Sequence, residues 1–222
     1  MEIDGISEIL ESEKKSYLNK KIDEYIKKGF SSEESVNRAN QSWRTYIGFR
    51  VQKIIFELLK REIDDSFVGI ISDKELLKSH LEEEYQKVKR KLAIDYGQYL
   101  FLPDADIILY KRCKKVNDIE IIAVVSVKNS FRERGFETAY WKLKLTQSSI
   151  TSRIVMFLAT PDKDGEISYR VHKRNPRKMR IILEHELDGI YFLKSDFEKT
   201  EKAKHFSEMI RDLKRLIKTV DC

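Results

Sequence analysis

Apolar positions in the first half of the chain recur at three- and four-residue steps, the spacing of one helix face. Ile3, Ile6, Ile9, Leu10, Tyr17, Leu18, Ile22, Tyr25 and Ile26 keep that rhythm until Gly29 ends it. Ser31 with Glu34 three residues on forms a capping-box pattern. It predicts a helix to about Glu62 with Trp43, Ile47, Val51, Ile54, Ile55, Leu58 and Leu59 on one face. Ser72 with Glu75 predicts another, carrying Leu76, Leu77, Leu81, Tyr85 and Val88 and stopping near Tyr96-Gly97.

The period then changes. Ile107 to Tyr110 and, after the polar tract KRCKKVND, the β-branched run IEIIAVVSV predict a hairpin whose second strand is buried. Glu137 to about Ile150 reads as helix, and Arg153 to Ala159 as a strand ended by Thr160-Pro161-Asp162. Strand, helix, strand is the parallel crossover unit. Arg180 to Leu183 and Ile190 to Leu193 are short strand candidates, with His185-Glu186 at a strand end between them. A final helix from about Asp196 to Thr219 carries Phe206, Met209, Ile210, Leu213, Leu216, Ile217 and Val220 on one face. The pattern predicts an α/β fold in a single domain, 1–222, with a mainly helical part, 1–97, and an α/β core with a carboxy-terminal helix, 98–222.

Composition narrows the class. The 222 residues are 41% hydrophobic and 36% charged, with 8 Gly and 3 Pro, which excludes disordered and collagen-like chains. The longest nearly unbroken apolar stretch, Ile119 to Val127, is interrupted by Glu120 and Ser126 and is far short of the roughly 20 residues a membrane helix needs. No secretory signal pattern opens the chain. Cys113 and Cys222 allow at most one bridge, and no Cys/His spacing suits zinc, so a reducing cytoplasm is expected. No glycine loop suited to phosphate is present, so no nucleotide cofactor is expected. The histidines His80, His172 and His205 show no ligand or nucleophile partner at useful spacing.

The net charge of +6 is unevenly spread: residues 1–90 hold 17 Lys/Arg against 18 Asp/Glu, leaving 26 against 19 in the remainder. Ser168 to Arg180 (SYRVHKRNPRKMR) has six basic residues and no acid, a field that attracts polyanions. Arg170, Lys173, Arg174 and Arg177 of this run, with Lys142 and Lys144 before it, are candidate contacts to the phosphates of a polyanion, giving salt-dependent affinity without sequence choice.

The predicted hairpin gathers three polar elements that apolar strands seldom carry: Asp104 and Asp106 in LPDADIILY, and Lys128 at the end of AVVSVK. A carboxylate there can hold a divalent metal, and a lysine beside it can activate a water or neutralise phosphate charge. The stretches LPDADIILY and IIAVVSVKNSFRERGFETAYWKLKL, with the Trp43 to Leu59 helix, resemble the PD-(D/E)xK nucleases, in particular type II restriction endonucleases. The resemblance implies a restriction-endonuclease-like mixed central sheet flanked by helices and cleavage of double-stranded DNA with Mg2+. It also implies a homodimer suited to palindromic sites. The apolar stripe of the carboxy-terminal helix or of the amino-terminal helices could supply the dimer contact, although packing on the sheet is the role expected of either alone.

Most members have an acid where this chain has Ser126. The resemblance is to the subgroup cutting CCGG and CCNGG sites, which has S-x-K on the strand and the displaced acid on the next helix. That implies Asp106 and Glu137 as metal ligands, with Ser126 either a filler or a hydroxyl holding a metal-bound water. Asp104 occupies the literal Pro-Asp pair, but alternation through Ile108 and Tyr110 favours Asp106. Glu57 resembles a glutamate that members often add from a preceding helix. Arg132, Glu133 and Arg134 resemble the subgroup's base-reading triplet, and arginine to guanine with glutamate to cytosine is the pairing that G·C recognition needs. The alternatives are a structure-selective repair or junction-resolving nuclease, and a noncatalytic DNA-binding protein.

Overall fold

The computed structural model describes residues 6–113, 115–131 and 135–220, with side chains from residue 12 onward. Ile3, Cys222 and the triplet Arg132, Glu133 and Arg134 lie outside the described residues.

Two long helices open the chain, α1 (Ile6–Lys27) and α2 (Ser32–Glu62). Gly29, at φ +89, turns between them, and the expected capping box forms at Ser31 and Glu34. Then come β1 (Val68–Ser72), α3 (Asp73–Leu76), α4 (Glu83–Leu92) and a small hairpin of β2 (Ile94–Asp95) and β3 (Leu100–Phe101). The core continues with β4 (Ile107–Cys113), β5 (Asp118–Val127), α5 (Gly135–Thr146) and β6 (Val155–Thr160). A second small hairpin, β7 (Val171–His172) and β8 (Asn175–Pro176), precedes α6 (Lys178–Glu186), β9 (Gly189–Phe192), β10 (Ala203–His205) and α7 (Phe206–Thr219).

Six strands form one mixed sheet in the order β1-β4-β5-β6-β9-β10. β4 runs antiparallel to β1 and β5, whereas β5, β6, β9 and β10 are mutually parallel. The β5-α5-β6 crossover is the expected one. One face of the sheet packs against α2 and α7, through residues such as Val51, Ile55, Leu59, Phe206, Met209 and Leu213. The other face packs against α4, α5 and α6 through Val88, Leu92, Ala139, Leu145 and Leu183. α1 lies on α2, where Tyr17 stacks on Tyr46 at 4.5 Å and Arg50 pairs with Glu13 at 2.8 Å.

Three expectations need correction. Ser72 caps no long helix: its side chain makes no cap hydrogen bond, and Val68–Ser72 pairs with β4 as an edge strand. Arg180 to Leu183 is helical, because Arg180 and Leu183, with Leu187 beyond, bury at helical spacing while Ile181 and Ile182 stay exposed. His185 and Glu186 thus end a helix rather than a strand. The last helix begins at Phe206, ten residues later than expected, because Ala203–His205 adds an edge strand parallel to β9.

One irregularity governs which face β5 shows. Leu109 pairs with Ala123 but Tyr110 pairs with Ile121, so Ile122 is an extra residue, a β-bulge. Before the bulge Ile119 and Ile121 face α4 and α5; after it Val124 does, and Ala123 and Val125 face α2 and α7.

Arg180 is wholly buried, donating to the carbonyls of Ile167, Ser168 and Glu198 at 2.7 to 3.1 Å and pairing with Glu184 at 2.9 Å. Truncation would orphan those acceptors. Arg180→Ala is expected to cost about 3–5 kcal/mol, read as a lower urea midpoint, whereas Lys178→Ala on the exposed side should change it little.

Candidate active site

Because β4 runs antiparallel to both neighbours, its start lies beside the ends of β1 and β5. Asp106 immediately precedes β4, Asp73 immediately follows β1 and Lys128 immediately follows β5. Continuing the ladder from Ile107 opposite Val125 sets Asp106 across from Ser126 and Asp104 across from Lys128. The bulge is what turns Lys128 to this face: with unbroken alternation from Ile121, Val127 would point here and Lys128 away.

The ammonium of Lys128 pairs with the Asp104 carboxylate and lies 3.9 Å from Glu137 Oε2. Glu137 comes from the first turn of α5, and its Oε2 is shielded from solvent without a hydrogen-bond partner. Asp106 Oδ2 accepts a 2.6 Å hydrogen bond from the backbone N–H of Val127. Burial pushes the Asp106 carboxyl up to about 6 against the pull of that N–H and of Lys128, and the charges of Asp104 and Asp73 push the same way as burial.

Two residues that the sequence did not single out tie the strand ends together. Gln52, buried on α2, donates through Nε2 to Asp73 Oδ1 at 3.2 Å and to the Asp106 carbonyl at 3.1 Å. The Asp73 backbone N–H donates to the same carbonyl at 3.3 Å. The apolar run VGIIS was the available signal for Asp73, since a strand there delivers the next residue to the start of β4.

Ser126 is wholly buried, its hydroxyl 3.4 Å from that of Thr138 on α5, so it fills the strand–helix contact rather than facing an open site. Glu57 is exposed on α2, five residues from Gln52 and therefore well round the helix from it. α2 brings Gln52 to the strand ends instead.

The candidate phosphate contacts divide. Lys142 is buried, its ammonium held by the Ile154 carbonyl at 2.9 Å and Asp188 at 2.7 Å, which gives it a structural role in place of the expected one. Arg170 pairs with Glu198 at 2.6 Å, and Arg177 with Glu166 at 2.8 Å. Lys144 lies over the rings of Tyr96 and Tyr140 and donates to Gln147 at 3.2 Å. Lys173 and Arg174 are exposed and have no ion pair or hydrogen bond among the described residues.

A profile described as BsaWI restriction endonuclease type 2 matches residues 84–218, which spans β4, β5, α5 and the rest of the parallel sheet. The chain belongs to this family. It is a type II restriction enzyme, an endonuclease acting at specific DNA sequences. A Methanocaldococcus jannaschii protein named as the type II restriction enzyme MjaVIP is 61% identical over 213 residues, 96% of this chain and 93% of the relative. A Helicobacter pylori protein named as the type II restriction enzyme HpyAORF263P is 46% identical over 158 residues, 71% of this chain and 80% of that one. Two solved structures share the restriction-endonuclease fold. One is the PspGI–substrate DNA complex, with a TM-score of 0.55 and 16% identity over 93% of this chain and 75% of that one. The other is the pre-specific BsaWI–DNA complex, with a TM-score of 0.51 and 11% identity over 83% of this chain and 66% of that one.

Asp106 makes the stability of the fold depend on pH. Between its ordinary value of 3.8 and about 6, the folded protein holds a proton that the unfolded chain has released, so this group's contribution falls as pH rises through that window. With metal withheld, Asp106→Asn is expected to stabilise the protein by about 2 kcal/mol at pH 7 and by nearly nothing at pH 4, compared by urea denaturation at both.

Proposed function

We propose that this restriction enzyme cuts both DNA strands with Mg2+ at the cluster of Asp104, Asp106, Lys128 and Glu137. The observation that carries the reading is the Lys128 ammonium set between the carboxylates of Asp104 and Glu137, at the strand end where Asp106 also sits. Among the described residues no three His, Cys, Asp or Glu side chains are already gathered at ligating distance. A cation there would be held by Asp106 and Glu137, with water and phosphate oxygens completing the shell, which is the habit of Mg2+. The donor chemistry fits: all oxygen, with a shielded Glu137 Oε2 that lacks a partner and a surplus of negative charge around Asp106. When bound, the cation offsets charge on the phosphate and eases ionisation of a water.

The protein's own groups do the rest. Lys128 sets its ammonium against the scissile phosphate and the attacking water, steadying the charge that grows on the phosphoryl oxygens. Asp104 fixes the lysine's direction, and the Val127 N–H fixes that of Asp106. Water gives up a proton to solvent as it adds to phosphorus, the opposite ester bond breaks, and the leaving alkoxide takes a proton from solvent. The triplet Arg132, Glu133 and Arg134 follows Lys128 within six residues, so G·C pairs read there lie next to the bond cut.

Cleaving both strands of one duplex calls for two such clusters, hence a homodimer. α7 is a poor contact, because Phe206, Met209, Leu213 and Ile217 are spent on the sheet. An open apolar surface lies instead on α5 and α6, where Phe136, Tyr140, Leu143, Ile181 and Ile182 are exposed on the two helices that pack together, one of which carries Glu137. A two-fold contact there sets the two clusters side by side.

Plasmid digested with Mg2+ should give discrete fragments whose sequenced ends share one site; a smear or intact plasmid would overturn the reading. Lys128→Ala should slow cleavage by about a hundredfold or more while DNA binding persists. Leu143→Glu with Ile181→Glu should elute as a monomer on size exclusion and convert double-strand cuts to nicks.

A further inference from the structure

Between β6 and α6 the chain makes a two-residue turn in which Lys173 and Arg174 both have positive φ, 46° and 71°. Two consecutive left-handed residues joining paired strands form a type I′ hairpin, whose usual occupants are Asn and Gly. Long, charged side chains are costly in that conformation, and here nothing within the molecule repays them: neither Lys173 nor Arg174 has an ion pair or hydrogen bond among the described residues.

The base of the hairpin is held firmly. The Arg177 N–H donates to the Arg170 carbonyl at 2.7 Å, Arg177 pairs with Glu166 and Arg170 with Glu198. Below it, the segment that leaves β6 is tied to the segment that leaves β5. The Lys163 N–H donates to the Asn129 carbonyl at 3.1 Å, and the Phe131 N–H to Asp164 Oδ2 at 2.9 Å. Met179, at the start of α6, packs against Gly135 at the start of α5. Since β5 and β6 are parallel, the hairpin rises from the end of the sheet that carries Lys128.

We propose that the Lys173–Arg174 turn grips the phosphate backbone of the duplex to one side of the bond being cut, and that its strained backbone is kept because it points both cations outward. This rests on the nuclease reading above and adds to it a clamp outside the base-reading triplet. Such a clamp works on any sequence, lengthens the stretch of DNA the enzyme covers, and contributes about one released counterion per contact.

The test measures binding with metal withheld, on a 30-base-pair duplex carrying the cleavage site and on one trimmed to 12. Lys173→Asn with Arg174→Gly supplies the residues the turn prefers, and Lys173→Gln with Arg174→Gln removes charge but keeps the strain. Both variants should bind the long duplex roughly tenfold or more weakly at 0.1 M salt, with a salt slope shallower by about 2, and should lose most of the wild type's preference for long over short DNA. Only the Asn-Gly variant should also gain thermal stability, by roughly 2–6 °C. Wild-type affinity and salt slope in both variants would overturn the clamp while leaving the nuclease intact, whereas a wild type that neither binds nor cuts DNA would overturn both.

Discussion

The single extra residue at Ile122 decides which side of the sheet holds the chemistry. A strand alternates its side chains strictly, so the eight positions from Asp118 to Val125 would otherwise commit Lys128 to the face covered by α2 and α7. There its ammonium would meet an apolar layer that includes Val51, Ile55 and Phe206, away from Asp104 and Glu137. Doubling Ile122 and Ala123 on that layer returns Lys128 to the side where Asp104 and Glu137 lie.

The rest of the cluster follows from strand direction. An antiparallel β4 between β1 and β5 brings two chain exits and one entry to the same edge, and each contributes a polar residue there. Ser126 then makes sense as a packing residue, since an acid at that wholly buried position would face Thr138, while Glu137 reaches Lys128 from the first turn of α5. The cluster gathers more carboxylates than cations, and with burial this holds the Asp106 carboxyl above its ordinary range.

Much of this was legible in the sequence, and the gaps have identifiable causes. α2, the β4–β5 hairpin, α5 and β6 could be placed from periodicity because each buries one face or both against a large layer. Asp104, Asp106 and Lys128 stood out as polar residues against those apolar patterns, whereas Glu137 was reached through the family resemblance. β1 was missed because VGIIS is only five residues long and ends in Ser72, which with Glu75 imitates a helix start. Asp73 and the amide of Gln52 were lost with it. α6 was misread because Ile181-Ile182 reads locally as strand, while a buried Arg180 with Leu183 decides in favour of helix. The bulge could not be seen at all: in IEIIAVVSV nearly every residue is apolar, so the run carries no parity from which a slip could be noticed.

Gln52 gives the molecule a mechanical link. One side-chain amide of a 31-residue helix spans the exit of an edge strand and the entry of a central one, so α2 is fastened directly to both strand ends. Just before Gln52 the same helix is braced to α1, where Glu13 meets Tyr46 and Arg50 and Tyr17 meets Ser42. The outer helix α1 is thereby joined, through a few residues of α2, to the backbone where β1 ends and β4 begins.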